Sequence, residues 1–270
     1  MNKSYNFVYV VLTYRNTLDL ENFFKENKLE NSKVIIVNSF YDEESKEVFN
    51  QIALSNKADF INVENLGYSY GNNKGIDFAL KNYNFEYLIV CNSDVLIQKM
   101  DADFLLNASR ENIYGPKILT LTDKDQNPYI HTFSLTTRKL FYKAIVNDKM
   151  TLRRLIYIAN GIVRRLLNFY TKIIKKSSYN TYSCHGAFII FGKKAVEKIN
   201  PVFYNEMFLF QEEQFLARKA YENSIAIKYI PHKVKIKHYE DGSMDINNKQ
   251  MRDYSDQSYI KFFNYFFSKK

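Results

Sequence analysis

The sequence is poor in the residues that cross-link or punctuate small folds. Its 270 residues include no tryptophan, two cysteines, four prolines and eight glycines, which excludes collagen-like and low-complexity proteins. Cys91 and Cys184 cannot form a disulfide framework, and their spacing matches neither a zinc site nor a CxxC redox motif. No apolar run approaches the roughly 18 residues of a spanning helix, and the run at 7–12 lacks a signal-peptide pattern. We therefore expect a globular protein of a reducing, cytoplasmic compartment.

The positive charge of the chain is concentrated in one segment. The formal net charge is +9, from 38 Lys and Arg against 29 Asp and Glu. Eleven of these cations lie in 138–176, where Asp148 is the only acidic residue, so the rest of the chain is close to neutral. With 46% hydrophobic and 25% charged residues, the chain can bury a substantial core. These numbers indicate one large ordered domain that carries one basic segment.

The basic segment has the pattern of an amphipathic helix. Apolar residues recur at spacings of three and four over 152–174. Cationic pairs recur every eleven residues, about three helical turns, and therefore stack along one stripe: Arg153, Arg154, Arg164, Arg165, Lys175 and Lys176. Such a helix suits an anionic membrane surface. The alternative is a helix packed on the core with a solvated basic face; a nucleic-acid surface is less expected, because no nucleic-acid motif accompanies the charge.

The first third of the chain alternates between strand and helix patterns. Continuous apolar runs predict buried strands at 7–13, 34–37, 60–63 and 87–91, and amphipathic stretches predict helices at 18–27, 43–54 and 72–81. Repeated units of this kind predict an α/β fold with a parallel sheet covered on both faces. Ligands of such sheets bind where the strands end. All four strands end in polar residues, which predicts a site there.

The remainder of the chain is less regular. The patterns predict a strand over 182–192, short helices over 193–199 and 212–223, a largely extended stretch over 225–238 and an aromatic helix over 251–268. We expect one domain over 1–250, with a nucleotide-sugar half at 1–118 and an acceptor half at 119–250. The basic helical insertion then occupies about 138–176, and 251–270 forms a terminal helix that packs on the domain, on a partner or at a membrane.

One stretch is specific enough to indicate a family. Asn65-x-Gly67-x-x-x-Gly71-Asn72-Asn73-x-Gly75 resembles the signature of family 2 glycosyltransferases, especially their rhamnosyltransferase-like branch. Further matches follow in the family's order: Val10–Tyr14 as the opening strand, Asn92-Ser93-Asp94 as the DXD-type motif, Gly186-Ala187-Phe188 beside the acceptor, Phe208–Glu213 with Arg218 as the Glu-Asp motif, and His238 to Ser243 as the late His-x4-Ser element. Each motif is weak alone, whereas the ordered set is specific.

The resemblance implies a GT-A-type, Rossmann-like fold and inverting transfer of a sugar from a nucleoside-diphosphate donor. It assigns the base that activates the acceptor hydroxyl to Glu213, with Glu212 beside it, and the acceptor side to Gly186, Ala187 and Arg218. It assigns a divalent Mg²⁺ or Mn²⁺ to Asp94 and His238. The donor nucleotide is assigned to Thr13, Tyr14, Asn16, Asn38, Asn65, Gly67, Gly71, Asn72, Asn73, Asn92, Ser93 and Asp94.

The chain departs from the family pattern at several of these positions. Asn38 stands where an aspartate usually accepts the base N–H; its carbonyl still allows uracil or thymine. Asn92 leaves Asp94 as the only carboxylate of the metal motif. Glu213 stands where aspartate is common, and Phe215 replaces a second acidic residue. These changes point to weaker metal binding and a slightly shifted acceptor hydroxyl.

We therefore predict a transferase that uses a UDP- or dTDP-linked sugar and a lipid-linked saccharide acceptor in cell-surface polysaccharide assembly. It would lie on the inner face of the cell membrane. Three alternatives stay open: a nucleotide-sugar-binding scaffold without turnover, a basic lipid- or nucleic-acid-binding module, and another α/β nucleotide enzyme. The last needs a glycine-rich phosphate loop after the first strand, and 13–22 contains no glycine.

Overall fold

The computed structural model describes residues 3–130, 133–239 and 249–268. The helices and strands of these residues are, in chain order, β1 (Ser4–Thr13), α1 (Thr17–Glu26), β2 (Ser32–Ser39), α2 (Glu43–Ser55), β3 (Asp59–Val63), α3 (Tyr68–Asn82), β4 (Asn84–Asn92), β5 (Val95–Met100), α4 (Ala102–Asn107), β6 (Ile113–Gly115), β7 (Lys117–Leu119), α5 (Leu135–Val146), α6 (Met150–Ile173), β8 (Tyr179–Thr181), β9 (Phe188–Gly192), α7 (Lys193–Ile199), α8 (Glu212–Glu222), β10 (Ile227–Tyr229), β11 (Val234–His238) and α9 (Lys249–Phe267).

The main sheet has eight strands in the order β3-β2-β1-β4-β9-β6-β10-β8. Strands β3, β2, β1 and β4 pair in parallel, as do β6 and β10, whereas β9 is antiparallel to both β4 and β6. The predicted α/β class with a mostly parallel sheet and flanking helices is therefore confirmed. Because β9 runs against its neighbours, it begins at the edge where β1, β2 and β4 end.

The core lies on both faces of this sheet. Successive side chains of β1 alternate between two buried clusters, with Val8 and Val10 on one side and Tyr9 and Val11 on the other. This two-sided burial explains why the strand reads as a continuous apolar run rather than an alternating one. All four side chains are almost completely inaccessible to solvent.

Helix α3 packs closely on the sheet through glycines. A Cβ added at Gly71 would lie 2.5 Å from a methyl of Leu12, and one at Gly75 would lie 2.3 Å from a methyl of Val10. The helix begins at Tyr68, four residues before the predicted start at 72. Gly71 therefore serves close helix–sheet packing.

A second sheet brings the late histidine to the site. Strands β5, β11 and β7 form it, with β11 in the centre, antiparallel to β5 and parallel to β7. In the register of β11 and β5, His238 pairs with Val95, the residue after Asp94. The predicted extended stretch at 225–238 is thus two strands, β10 in the large sheet and β11 in the small one. Glu240 to Ser243, the rest of the predicted late element, lie outside the described residues.

The basic segment folds into two helices, α5 and α6, inserted between β7 and β8. The aromatic helix α9 packs against them and against α8 through a third cluster that contains Phe141, Phe215, Tyr259 and Phe262. Of the three alternatives for α9 (the domain, a partner or a membrane), the structure shows its aromatic face packed on the domain. The strand predicted over 182–192 is shorter, since β9 covers only its last five residues. None of the described helices is long and apolar enough to cross a membrane.

Arg153 departs from the predicted stripe of membrane-facing cations, because its side chain is buried. Its side chain is 9% exposed, and its guanidinium lies 2.9 Å from a carboxylate oxygen of Asp256 on α9. It also donates to the carbonyl oxygens of Ala144 and Ile145 at the end of α5. Arg153 therefore ties α6 to α5 and α9, while Arg154, the next residue, is exposed.

Candidate active site

The polar ends of β1, β2 and β4 meet at one edge of the sheet. Thr13, at the end of β1, is buried and donates its hydroxyl to the carbonyl oxygen of Val37, 3.3 Å away. Ser39, at the end of β2, donates to Oδ1 of Asn65 at 3.0 Å. The backbone N–H of Asn92, at the end of β4, donates to the carbonyl oxygen of Ala187 at 3.1 Å. The polar strand ends therefore cluster at one edge of the sheet, as the sequence predicts.

An exposed aromatic pair with an arginine flanks the ends of β1 and β2. Tyr14 and Tyr41 meet edge to face, 5.6 Å between ring centroids, and each is almost half exposed. The guanidinium of Arg15 lies 4.4 Å from the Tyr41 ring. Arg15 holds a left-handed backbone, with φ of 64°, which is uncommon for a non-glycine residue. Asn16 caps α1 and donates from Nδ2 to Asp19.

Asn38 carries a buried acceptor at the end of β2. Its side-chain N–H donates to Oδ1 of Asn62 at 2.7 Å. Among the described residues its Oδ1 has no hydrogen-bond partner, and this oxygen is inaccessible to solvent. An unsatisfied buried carbonyl is costly, by about 1–3 kcal/mol, so such groups are commonly reserved for a ligand or water.

The glycine-rich loop approaches the segment that precedes α8. Gly67 has φ of 100°, and a Cβ there would lie 2.2 Å from the carbonyl oxygen of Phe208. The N–H of Tyr68 donates to that same oxygen at 2.8 Å. Only glycine combines this backbone with so close an approach. The loop at the end of β3 and the loop before α8 are thus held together.

Two asparagines of the predicted donor motif hold the protein's own structure. Asn72 is buried and donates to the carbonyl oxygen of Tyr68 within α3, and its Oδ1 has no partner. Asn73 makes a pair of hydrogen bonds with the backbone of Phe203 and a third with Asn205. Asn73 therefore fixes the 203–205 loop. Because α3 begins at Tyr68, Asn73 lies inside the helix, which corrects its predicted place at the helix start.

Asp94 and His238 meet at the end of β4. Nε2 of His238 lies 3.3 Å from Oδ2 of Asp94 and 3.4 Å from Nδ2 of Asn92. Nδ1 of His238 lies 2.9 Å from Oε1 of Gln126, an amide oxygen that accepts a hydrogen bond from the ring. Asp94 is also held through its carbonyl, which accepts from the N–H of Tyr239 at 2.9 Å. Ser93 lies in the bend between β4 and β5.

This pair fits a divalent cation with a partial ligand set. Nε2 of His238 and Oδ2 of Asp94 face each other 3.3 Å apart, so one cation could contact both atoms. Within 3–130, 133–239 and 249–268 no group of three or more His, Cys, Asp or Glu side chains could hold a metal. Asp94 and His238 could therefore supply two ligands, and the others would have to come from a bound ligand or water.

Glu213 is held at the start of β9. The N–H of Gly186 donates to Oε1 of Glu213 at 3.1 Å, and a Cβ added at Gly186 would touch that oxygen. The hydroxyl of Tyr68 donates to the carbonyl oxygen of Gly186 at 3.0 Å. Burial, and the nearby Glu212 and Glu213, raise the pKa of Tyr68, so its hydroxyl remains a donor. Both the N–H and the carbonyl oxygen of Gly186 are thus engaged in hydrogen bonds.

The two glutamates at the start of α8 differ in environment. Burial raises the pKa of Glu212 well above its ordinary value, with the Glu213 charge as a second cause, and Oε1 of Glu212 has no partner. Burial also raises the pKa of Glu213, and the Gly186 N–H partly offsets that rise. Glu213 is the half-buried member of the pair. Phe210 and Gln211 before them both have φ of 70°, a strained turn of the kind found at functional sites.

His185 links the two groups of residues. Its ring centroid lies 5.8 Å from that of His238, and it directly precedes Gly186. Burial lowers its pKa to about 3, with the His238 ring as a second cause, so it stays neutral. The ring Nδ1 of His185 accepts a hydrogen bond from the backbone N–H of Ala187, and the backbone N–H of His185 donates to Oδ1 of Asn127. A continuous series of contacts therefore joins Asp94 to Glu213 through the two histidines and Gly186.

Arg218 does not join this group. Its guanidinium pairs with Glu222 at 2.9 Å and lies about 5 Å above the rings of Phe133, Tyr221 and Phe267. It is five residues after Glu213, so the two side chains point about 140° apart around α8. Arg218 stabilises the packing of α9 instead of reaching the predicted acceptor side.

Sequence reasoning missed several residues of the site: Arg15, Tyr41, Tyr68, Gln126 and His185. Tyr68 lies inside the glycine-rich motif and Arg15 directly follows the opening-strand motif, and the family pattern gives neither residue a role. Tyr41 is marked only by its place just after β2. Gln126 and His185 carry no local signal, because the residues that they contact are 112 and 53 positions away.

Comparison with solved structures places this fold among the GT-A glycosyltransferases. The chain is similar to GalNAc-T7 crystallised with UDP, GalNAc and Mn²⁺ (TM-score 0.60, 8% identity, 96% of this chain and 48% of that one). It is similar to the mannosyltransferase PcManGT from Pyrobaculum calidifontis with GDP-Man and Mn²⁺ (0.56, 12%, 98% and 66%) and to S. aureus TarS (0.54, 13%, 87% and 36%). No protein-family model and no curated protein sequence matches it.

The comparisons confirm the GT-A fold that the motifs predict. The chain spans about a third to two thirds of the length of these structures. At 8–13% identity the likeness concerns the fold alone.

Proposed function

We propose that the chain is a glycosyltransferase that moves a sugar from a nucleoside-diphosphate donor to a saccharide hydroxyl with inversion, as in the rhamnosyltransferase-like branch of family 2. The observation that carries this proposal is the contact series from Asp94 through His238, His185 and Gly186 to Glu213. It joins a pair suited to a diphosphate and its cation to a positioned carboxylate, at the edge where GT-A folds bind donors.

Glu213 acts as the general base. The acceptor hydroxyl gives its proton to the Glu213 carboxylate as its oxygen bonds to the anomeric carbon, and the bond from that carbon to the diphosphate breaks. One displacement from the opposite face inverts the anomeric configuration. A positioned base contributes typically 10²–10⁴-fold. The raised pKa of Glu213 brings its basicity closer to neutral pH, where such a base works best.

Asp94 and His238 would hold Mg²⁺ or Mn²⁺, which stabilises negative charge on the diphosphate when bound. Oε1 of Gln126 holds Nδ1 of His238 and so orients the ring with Nε2 toward Asp94. Two of the solved neighbours were crystallised with Mn²⁺ and a nucleotide or nucleotide sugar, which supports this assignment.

The donor base lies beside Tyr14, Tyr41 and Arg15. The unpartnered Oδ1 of Asn38 suits an N–H of uracil or thymine, which supports a UDP- or dTDP-linked sugar. The acceptor is a lipid-linked saccharide of cell-surface polysaccharide assembly, and the enzyme works on the cytoplasmic face of the cell membrane. The basic insertion at α5 and α6 supports this acceptor.

Thermal unfolding with UDP, dTDP, GDP and CMP, each with and without Mn²⁺, tests the donor site. A ligand at a hundred times its dissociation constant stabilises the fold by about 2.7 kcal/mol. We expect a metal-dependent shift with UDP or dTDP that Asp94→Ala removes. No shift with any nucleotide would refute the transferase proposal.

Turnover separates a transferase from a nucleotide-sugar-binding scaffold. Glu213→Gln should lower transfer by 10²–10⁴-fold while the nucleotide shift survives. The matched control is Glu222→Gln at the far end of α8, which should leave transfer unchanged. Nucleotide binding without turnover in the unmodified protein would favour the scaffold.

A further inference from the structure

Helix α6 presents its apolar face to solvent. Six large apolar side chains at spacings of three and four are each more than half exposed: Leu155, Ile158, Ile162, Leu166, Phe169 and Ile173. At about 100° per residue they fall within about 80° of one another around the helix. They form one continuous stripe over most of its 24 residues, termed here the α6 stripe.

The opposite side of α6 faces the protein and is more polar than the stripe. Arg153 and Thr171 are the buried residues of the helix. Asn160 donates to the carbonyl oxygen of Tyr129, and His232 contacts the carbonyl oxygen of Thr171 at 3.0 Å. A helix that covers a core has the reverse arrangement. The alternative of a core-packed helix with a solvated basic face is therefore not what this structure contains.

Cations border the stripe on one flank. Arg154, Arg165 and Lys172 are exposed and fall within about 20° of one another, about 80° from the centre of the stripe. Of each recurring cationic pair within α6, the second member thus lies beside the stripe, while the first, Arg153 or Arg164, turns toward the protein. No acidic residue occurs in α6.

We propose that α6 docks the protein on an anionic lipid bilayer by inserting the α6 stripe at the headgroup boundary, with Arg154, Arg165 and Lys172 on the lipid phosphates. An apolar stripe with flanking cations is the arrangement of interfacial helices. A second copy of the chain fits less well, because two stripes packed together would bring six cations close to one another with no acidic residue of α6 to pair them. Docking thus depends on apolar insertion as well as on charge.

Docking would hold the sheet edge of the proposed active site in a fixed orientation to the lipid. The link to a lipid-carried acceptor rests on the proposed transferase function. Bilayer docking itself does not, so the two can fail separately.

Vesicle co-sedimentation tests the insertion. Leu166→Glu with Phe169→Glu should lower binding to phosphatidylglycerol-containing vesicles at least tenfold. The matched control is Leu18→Glu with Leu54→Glu, because these leucines of α1 and α2 are 59% and 65% exposed, against 65% for both targets. Equal loss in target and control variants, or no loss in either, overturns the proposal.

A single-tryptophan reporter gives a second test that does not depend on the glutamate variants folding. The chain contains no tryptophan, so Phe169→Trp introduces the only indole. Its emission should shift to the blue on anionic vesicles and be quenched by brominated lipids, whereas Leu54→Trp should not respond. Absence of both changes at position 169 overturns the proposal.

Three controls separate the other outcomes. Arg154→Glu with Arg165→Glu should reduce vesicle binding more than Lys25→Glu with Lys81→Glu, and equal effects overturn the assigned flank. Sedimentation without lipid should find a monomer; a dimer that Leu166→Glu with Phe169→Glu dissociates overturns the choice of a bilayer. Nucleotide-induced thermal shifts should persist in those stripe variants, and Glu213→Gln should keep vesicle binding, so failure of docking and failure of the transferase proposal are distinguishable.

Discussion

Replacing Arg153 should destabilise the fold, whereas replacing its neighbour Arg154 on α6 should mainly weaken vesicle binding. Arg153 is 9% exposed and donates four hydrogen bonds, two of them to the Asp256 carboxylate at 2.9 and 3.2 Å and two to backbone carbonyls of α5. Arg153→Met keeps the apolar stem but leaves the Asp256 carboxylate without this cation, while the carbonyl oxygens of Ala144 and Ile145 keep the backbone N–H donors of Lys149 and Asp148. Removing one side of a buried pair costs up to 3–5 kcal/mol; because Asp256 is 30% exposed, we expect about 2–4 kcal/mol.

Urea unfolding measures this loss, and Arg154→Met is the matched control. Arg154 is exposed, so its replacement should change the free energy of unfolding by less than about 0.5 kcal/mol. Vesicle binding should show the reverse order, with the larger effect at Arg154. Asp256→Asn completes a double-mutant cycle, in which a coupling of about 1–3 kcal/mol is expected. A loss below about 0.5 kcal/mol for Arg153→Met would refute the anchoring role of this pair.

Four further predictions follow from the site. Glu212→Gln should stabilise the fold at neutral pH, because its raised pKa makes the charged form unfavourable; the gain should vanish below the ordinary pKa of glutamic acid. The acid limb of the rate profile should lie above that ordinary value, since Glu213 must lose its proton and its pKa is raised; a limb at or below it would contradict the base assignment. Gln126→Leu should weaken Mn²⁺ binding about 10–100-fold by calorimetry with bound nucleotide, while Gln51→Leu on the surface should not. Gly67→Ala should destabilise by at least about 2 kcal/mol in thermal unfolding, because of its positive φ and the approach of Phe208; Gly161→Ala, where a Cβ meets nothing within 4 Å, should stabilise by about 0.5–1 kcal/mol.

Sequence patterns predicted the fold class well. Continuous apolar runs predicted the parallel strands, and the polar residues that end these strands meet at one edge of the sheet, where a ligand site is predicted. The start of α3 was placed four residues late, because Gly67 gives no side-chain capping signal. The strand that contains β9 was predicted too long, because Tyr182, Cys184 and Ala187 are buried in the core but lie in a loop.

Contacts between residues that are far apart in the sequence account for what the sequence does not reveal. Arg153 and Arg154 are indistinguishable in the sequence, and Asp256, 103 residues away, decides which is buried. Periodicity predicted that α6 has an apolar face and could not predict that this face is turned to solvent. The pairing of Asp94 with His238, 144 positions apart, followed only from the resemblance, and Gln126 beside them had no signal at all.

Reversal of β9 has a chemical consequence for this edge of the sheet. Parallel strands all end there and present side chains and carbonyl groups, but few free N–H groups. A strand that begins there adds backbone donors, and the N–H groups of Gly186 and Ala187 are used on Glu213 and His185. The orientation of both side chains therefore depends on backbone N–H groups that only a substitution by proline would remove. Side chains around this segment can change while the N–H group that holds the Glu213 carboxylate stays in place.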